Sequence, residues 1–354
     1  MFKKNFLNSL YIIFLGAISS YSLPPYNYFI INFITFSLFF IFLFNKKKES
    51  SNNKFFFKYG WYFGFGYFLF SLYWVAISLT FDQSFKFLIP LAIILLPALL
   101  AIFYGLMTFL FSIFYSKNVI SSFLIFSILF SGIEFIRGTI LTGFPWNLIS
   151  FSFSDSINFI QILSVIGTYS FNLFCISLFT IPAVFILRKS KQEIIVCSLF
   201  ILVSVSFLIF GSLKNSNFNS LESIKKPYTI VAISPNISLD RFYTEQNELI
   251  IINELIDLSI SEKKEPTIFL WPEGIITDSY VRDMDIYKNL FSDNFGDDDL
   301  IIIGINSVEN KGGKNLIFNS MAVFNNKLDL IQKYNKVNLV PFGEFMPIEN
   351  ALGS

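Results

Sequence analysis

The sequence contains no histidine. Ser-His-Asp and Cys-His mechanisms and His-containing zinc sites are therefore excluded within this chain. Cysteine is nearly absent: Cys175 and Cys197 are the only two, and both lie in apolar stretches. Residues 214–354 hold none, so that segment forms no internal disulfide and offers no thiol nucleophile. Charge is scarce as well, at 14% of 354 residues with a formal net charge of +1. No basic patch with interleaved base-stacking aromatics is found, which excludes the usual footprint of a nucleic-acid partner. Gly-rich phosphate loops, metal-ligand spacings and internal repeats are missing too, so neither metal nor cofactor is expected.

What is abundant is apolar surface: 54% of residues are hydrophobic and 19% aromatic, with 48 Phe. A soluble domain does not carry so positive a mean hydropathy, so much of the chain belongs in lipid. The apolar runs predict about seven membrane spans, near 7–23, 26–44, 59–80, 87–115, 119–136, 157–187 and 194–212. Lys3 and Lys4 before the first run resemble a signal peptide, but Leu23-Pro24-Pro25-Tyr26 leads into the next span without an Ala-x-Ala-like cleavage site. A retained helix is expected.

Loop charges predict the orientation. A cytoplasmic N-terminus puts Lys3, Lys4, Lys46, Lys47, Lys48, Lys54, Lys58, Lys117, Arg188, Lys189 and Lys191 on the inside. Only Lys86 and Arg137 then fall on the opposite side. An odd number of spans places everything after Gly211 outside the cytoplasm.

The loop after the fifth span is unusual. Glu134 and Arg137 lie at i and i+3 on a helix end and can pair, and charge at membrane depth is costly enough to suggest function. Gly143-Phe144-Pro145-Trp146 follows, a turn carrying two aromatics. It suits the headgroup layer either as a plain interfacial anchor or as a functional loop.

Three regions are expected: a transmembrane bundle over 1–213, a polar linker over 214–226 and an α/β layer domain over 227–354. In the last, Tyr228–Ile233 reads as a strand before the turn Ser234-Pro235-Asn236, and 243–260 as a helix. Residues 267–271 form a second strand, a helix ends near 292, and 300–305 form a third. A hairpin is expected from 316–324 to 328–333. Within this domain Trp271-Pro272-Glu273 puts a carboxylate at the tip of a short buried strand. Tyr334-Asn335-Lys336 is followed eight residues after the Lys by Glu344, in a Pro-Phe-Gly turn. Singly these read as solvated surface charges; together they suggest a built charge cluster.

At these residues the chain resembles the apolipoprotein N-acyltransferases, bacterial membrane enzymes whose soluble part has the nitrilase fold. The resemblance covers nearly the whole chain. It is carried by Glu134-Phe135-Ile136-Arg137-Gly138 with Thr142-Gly143-Phe144-Pro145-Trp146, by Pro235-Asn236-Ile237, by Trp271-Pro272-Glu273, and by Tyr334-Asn335-Lys336 with Leu339-Val340-Pro341-Phe342-Gly343-Glu344. It implies a multi-span helical bundle followed by a partial αββα sandwich. The implied reaction moves an acyl chain from a phospholipid to the N-terminal amine of a diacylglyceryl-modified apolipoprotein. It implies Glu273 as general base toward a cysteine thiol, Lys336 as stabiliser of the oxyanion and Glu344 as supporting carboxylate. A base raised in pKa by burial and a nearby Lys would do this without His. Phe144, Pro145, Trp146 and Tyr243 are the implied substrate contacts; Phe242-Tyr243 stand where a Trp is expected and Ser234 where Gln is common. The implied place is the bacterial inner membrane, with the soluble domain on the periplasmic side and membrane lipid as a partner.

The nucleophilic Cys of this family follows the Pro-Phe-Gly-Glu segment, and no Cys follows it here. About 130 residues of soluble domain are present, short of a complete sandwich. The resemblance thus implies the N-terminal part of an acyltransferase, inactive by itself. A membrane-anchored nitrilase-type amidase would use the same Glu and Lys, and a non-catalytic lipid- or lipoprotein-binding remnant would need no Cys. A transporter would show charges along its spans, which are almost absent.

Overall fold

The computed structural model describes residues 2–49, 52–80, 83–140, 143–221, 226–236, 248–261 and 266–340. The chain forms two compact units, Met1–Leu221 and Glu222–Ser354.

The first unit is helical, because in lipid an apolar run must satisfy its backbone polar groups within itself. Its helices are α1 (Phe2–Ser19), α2 (Ile30–Glu49), α3 (Lys54–Leu72), α4 (Ile89–Phe114), α5 (Val119–Thr139), α6 (Ile157–Ile160), α7 (Leu163–Ile166), α8 (Thr168–Ile186) and α9 (Lys191–Asn219). Six stretches among the described residues are long and apolar enough to cross a membrane: Ile30–Glu49, Lys54–Thr80, Gln83–Phe114, Val119–Thr139, Thr168–Ile186 and Lys191–Asn219. The first expected span falls on a shorter apolar helix, Phe6–Ser22.

Two expectations are corrected. The span expected over 157–187 is broken into α6, α7 and α8. Gly167, at φ +74°, ends α7 with its N–H on Leu163 O, a left-handed cap that glycine adopts without strain. The expected linker begins too early, since α9 runs to Asn219. Lys214 Nζ donates to Ser164 Oγ at 2.6 Å and Asn215 Nδ2 to Asn158 Oδ1 at 3.5 Å, tying the last turns to the preceding segment.

Phenylalanine fills the centre of the bundle. Phe36, Phe39, Phe40, Phe63, Phe126 and Phe130 are fully buried, and Phe39 stacks on Phe63 with centroids 4.3 Å apart. Each such ring pair contributes about 0.5–1.5 kcal/mol beyond area burial. Where helices approach most closely the residue is glycine, as expected where dispersion rather than water drives association. A Cβ on Gly66 of α3 would lie 2.1 Å from Ile13 O of α1.

The second unit is one sheet with helices. Its elements are β1 (Thr229–Ala232), α10 (Glu248–Ser261), β2 (Thr267–Leu270), β3 (Ile276–Tyr280), α11 (Lys288–Asn294), β4 (Leu300–Lys311), β5 (Lys314–Asn325) and β6 (Leu330–Asn335). The strand order is β1-β2-β4-β5-β6, with β3 also on β4. β1, β2, β3 and β4 are parallel; β5 and β6 are antiparallel additions.

The expected strand 300–305 is half of a longer one. Its hairpin partner is β5, across Gly312 and Gly313 at φ +63° and +81°, a turn with both central residues left-handed. β3 takes residues 276–280 of a stretch expected to be polar and then helical. Side chains alternate across the sheet. Phe269, Ile301, Ile303, Ala322 and Phe324 pack with Ile252, Leu255 and Ile256 of α10 in one core. Positions 302, 304, 306, 319 and 321 point the other way.

Gly66→Leu should force α1 off α3, costing about 1–3 kcal/mol by overpacking. Thermal unfolding in detergent would show a lowered midpoint; an unchanged midpoint would mean that α1 does not depend on this contact.

Candidate active site

Glu273 stands just beyond the C-terminal end of β2, where open parallel sheets place their ligands. Trp271 N–H still donates to Ile302 O of β4 at 2.9 Å. Pro272 then ends the pairing because it has no N–H, and Gly274 at φ +62° turns the chain away. The turn sits directly on β4. A Cβ at Gly304 would lie 2.5 Å from Glu273 Cα and 2.7 Å from Pro272 O, so only glycine leaves room for it.

Lys336 arrives from the other side of the sheet order, one residue past β6. Its Nζ donates to Glu273 Oε1 at 3.0 Å, and its backbone N–H donates to Asn319 O at 2.8 Å. Asn319 Nδ2 donates to the same Glu273 Oε1 at 2.6 Å. One residue of β5 therefore holds the backbone of the Lys and the carboxylate of the Glu. On the core side, Asn335 Oδ1 accepts from Ser307 Oγ at 3.2 Å and Ser320 Oγ at 2.8 Å, and its Nδ2 donates to Glu309 Oε1 at 2.8 Å. These bonds lock the end of β6 just before Lys336.

The Glu273 side chain is 63% exposed and that of Lys336 30%. Burial around the base, expected from sequence, is thus not found among the described residues. The carboxylate is instead positioned by two donors on one oxygen. An exposed ion pair adds only about 0–1 kcal/mol to stability, so stability does not account for so many fixed partners. Beside the pair opens a cavity of about 840 Å³, lined by Gly274, Asn306, Ile317, Asn319, Lys336 and Leu339 among others. Its walls mix aliphatic side chains with amides, a composition suited to a substrate with an apolar body and a polar reacting end.

Of the other residues singled out from sequence, Glu344 and Tyr243 lie outside the described residues. Phe144, Pro145 and Trp146 are in the helical unit, after α5. Trp146 is exposed and stacks on Trp74 at 5.4 Å, and Phe144 packs against Trp146 at 5.5 Å. Cys175 and Cys197 are buried in α8 and α9. No group of His, Cys, Asp and Glu among the described residues could hold a metal ion.

Sequence reasoning missed Asn319, Gly304 and Trp74. For Asn319 a signal existed: an amide inside the apolar run Leu316-Ile317-Phe318-Asn319-Ser320-Met321. Gly304 and Trp74 announce themselves only through the backbone and ring they meet in space.

The family model described as the apolipoprotein N-acyltransferase N-terminal domain matches residues 15–181. Proteins named apolipoprotein N-acyltransferase are similar over far more. Those of Rhizobium etli (strain CIAT 652) and Rhizobium leguminosarum bv. trifolii (strain WSM2304) are each 30% identical, over 98% of this chain and 67% of the relative. That of Rickettsia typhi (strain ATCC VR-144 / Wilmington) is 32% identical, over 83% of this chain and 58% of the relative. The chain thus spans about two thirds of the length of the two Rhizobium proteins.

Gly304→Ala should displace the Trp-Pro-Glu turn and cost about 1–3 kcal/mol. The readouts are the unfolding midpoint and an experimental structure, in which the Lys336–Glu273 contact should be broken; a contact kept near 3.0 Å would show that the turn does not need Gly304.

Proposed function

The chain belongs to the apolipoprotein N-acyltransferase family of membrane acyltransferases, and from that premise we propose that it serves transfer of a phospholipid acyl chain to the N-terminal amine of a diacylglyceryl-modified apolipoprotein. The observation that carries this reading is the Glu273–Lys336 pair, clamped by Asn319 at the mouth of a partly apolar cavity.

In the proposed reaction Glu273 accepts the proton of a cysteine thiol, which attacks the ester carbonyl of the phospholipid. Lys336 stabilises the oxyanion of the tetrahedral intermediate. Collapse of that intermediate forms a thioester, and the lyso-lipid alkoxide leaves with the proton held by Glu273. The lipoprotein amine then attacks the thioester, giving an amide and restoring the thiol. Glu344 supports the amine and Lys336 in this scheme, and Tyr243 contacts the acceptor. Cys175 and Cys197, buried in bundle helices, do not provide the thiol; in the family it follows the Pro-Phe-Gly-Glu segment.

A bundle of six membrane-length helices suits a donor whose chains stay in lipid. With the shorter apolar helix Phe6–Ser22 taken as a seventh crossing, the proposed setting is the bacterial inner membrane, with the N-terminus cytoplasmic and the soluble unit periplasmic, as the loop charges favour.

In the natural polypeptide, Glu273→Gln and Lys336→Ala should each lower acyl-enzyme formation by about 10²–10⁴-fold while leaving membrane insertion intact. Mass spectrometry of the intact protein after incubation with phospholipid reads the thioester directly. Undiminished thioester in either variant removes that residue from the mechanism.

A further inference from the structure

The helical unit buries two opposite charges that the chemistry above does not use. Glu134 is 0% exposed and Arg137 1%. Ionised side chains at membrane depth persist only where partners compensate their desolvation. Glu134 Oε1 accepts from Tyr104 Oη at 2.7 Å and faces Arg137 Nη2 at 3.5 Å, while Oε2 accepts from Asn172 Nδ2 at 2.5 Å. Arg137 Nη1 turns the other way and donates to two carbonyls of the next loop, Phe144 O at 2.6 Å and Trp146 O at 2.8 Å. Phe144 N–H returns a bond to Arg137 O at 2.9 Å.

A third carbonyl of the loop is held from α3: Tyr67 Oη donates to Asn147 O at 3.0 Å. Asn147 Nδ2 in turn reaches Ser71 O at 3.4 Å, and the same carbonyl accepts Trp74 Nε1 at 3.0 Å. The two tryptophans that these bonds orient lie face to face, tilted by 18°, with Trp74 45% and Trp146 48% exposed. A plain interfacial Trp needs no such support, since its amphipathic ring holds it in the headgroup layer. Backbone pinned by a buried ion pair is what a preformed binding surface requires.

We propose that Arg137 is a positioning residue that braces loop 143–147, so that Trp74 and Trp146 form one indole surface on which an acyl chain of the donor phospholipid lies. This rests on the acyl-transfer reading above. The guanidinium lies buried beneath the loop with its Nη atoms engaged by carbonyls and Glu134, so the surface presents apolar ring faces rather than a cation for a phosphate. The ligand class that fits is therefore the hydrocarbon chain and not the headgroup.

The test is a titration of the natural polypeptide, which carries the catalytic thiol of the proposed scheme, in detergent with a phospholipid brominated along its acyl chains, reading tryptophan quenching. The difference between the parent and Trp146→Phe isolates the indole of interest. The parent should show saturable quenching. Arg137→Lys, which keeps the charge but loses the planar fork, should raise the half-saturating lipid concentration about tenfold, equivalent to about 1.4 kcal/mol. Tyr67→Phe leaves both buried charges in place and should shift it the same way by less, which keeps the test decisive if Arg137→Lys fails to fold. Quenching that rises linearly without saturation in the parent, as for any lipid-exposed ring, would overturn the proposal. So would an unchanged half-saturation in both variants. Because quenching needs no turnover, saturable binding without acyl-enzyme would count against the transfer reading alone; acyl-enzyme without saturable quenching would count against the brace alone.

Discussion

Lys336 meets Glu273 across 63 positions of sequence because β5 stands between them in register with both neighbours. Asn319 pairs with Asn306 on β4, two residues from the Gly304 that the Trp-Pro-Glu turn rests on. On its other side its carbonyl receives Lys336 N–H where β6 ends. A slip of one residue would send Asn319 into the core and bring Ser320, now bonded to Ser307 and Asn335, to the open face. The core prevents that slip, since Ala322 and Phe324 are buried against Ile303 and Ile301 of β4 and both would leave the core as Asn319 entered it. The catalytic geometry proposed here is thus held by apolar packing on the opposite face of the sheet.

Scarcity of charge gives the few ionised groups in the bundle their meaning. A protein with 14% charged residues that still buries Glu134 and Arg137 at the end of α5 must supply them with bonds, and it does so from four directions. Those bonds couple α4, α5 and α8 to the loop that follows, so a single ion pair organises the end of the bundle that carries the exposed tryptophans. The Glu273–Lys336 pair is the opposite case. It is partly exposed and contributes little to stability, and its proposed value lies in where it holds the two side chains.

Much of the architecture was legible in the chain. Apolar runs located the helices to within a few residues, and the tip carboxylate of Trp271-Pro272-Glu273 sits at a strand end as expected. The expected hairpin of 316–324 with 328–333 is the β5–β6 pair. Misreadings arose where local pattern underdetermines backbone. Gly167 breaks an unbroken apolar run, and Gly312-Gly313 closes a second hairpin, β4 with β5, that the expected strand 300–305 stopped short of. α9 continues through Asn and Ser because its last turns find partners on the preceding segment, and burial around Glu273 was inferred from chemistry where the described residues show exposure.

The sequence by itself determined which segments are apolar enough for lipid, that histidine and thiol chemistry are missing from residues 214–354, and where the unusual Glu, Lys and aromatic motifs fall. Those are properties of composition and of periods of two or 3.6 residues, which need no knowledge of distant chain. Only the tertiary structure decided that Glu273 and Lys336 touch, that Asn319 holds both, and that Arg137 grips the carbonyls beneath Trp146. Each of these depends on register between strands or helices far apart in sequence, and register is set by the packing of whole faces rather than by any single motif.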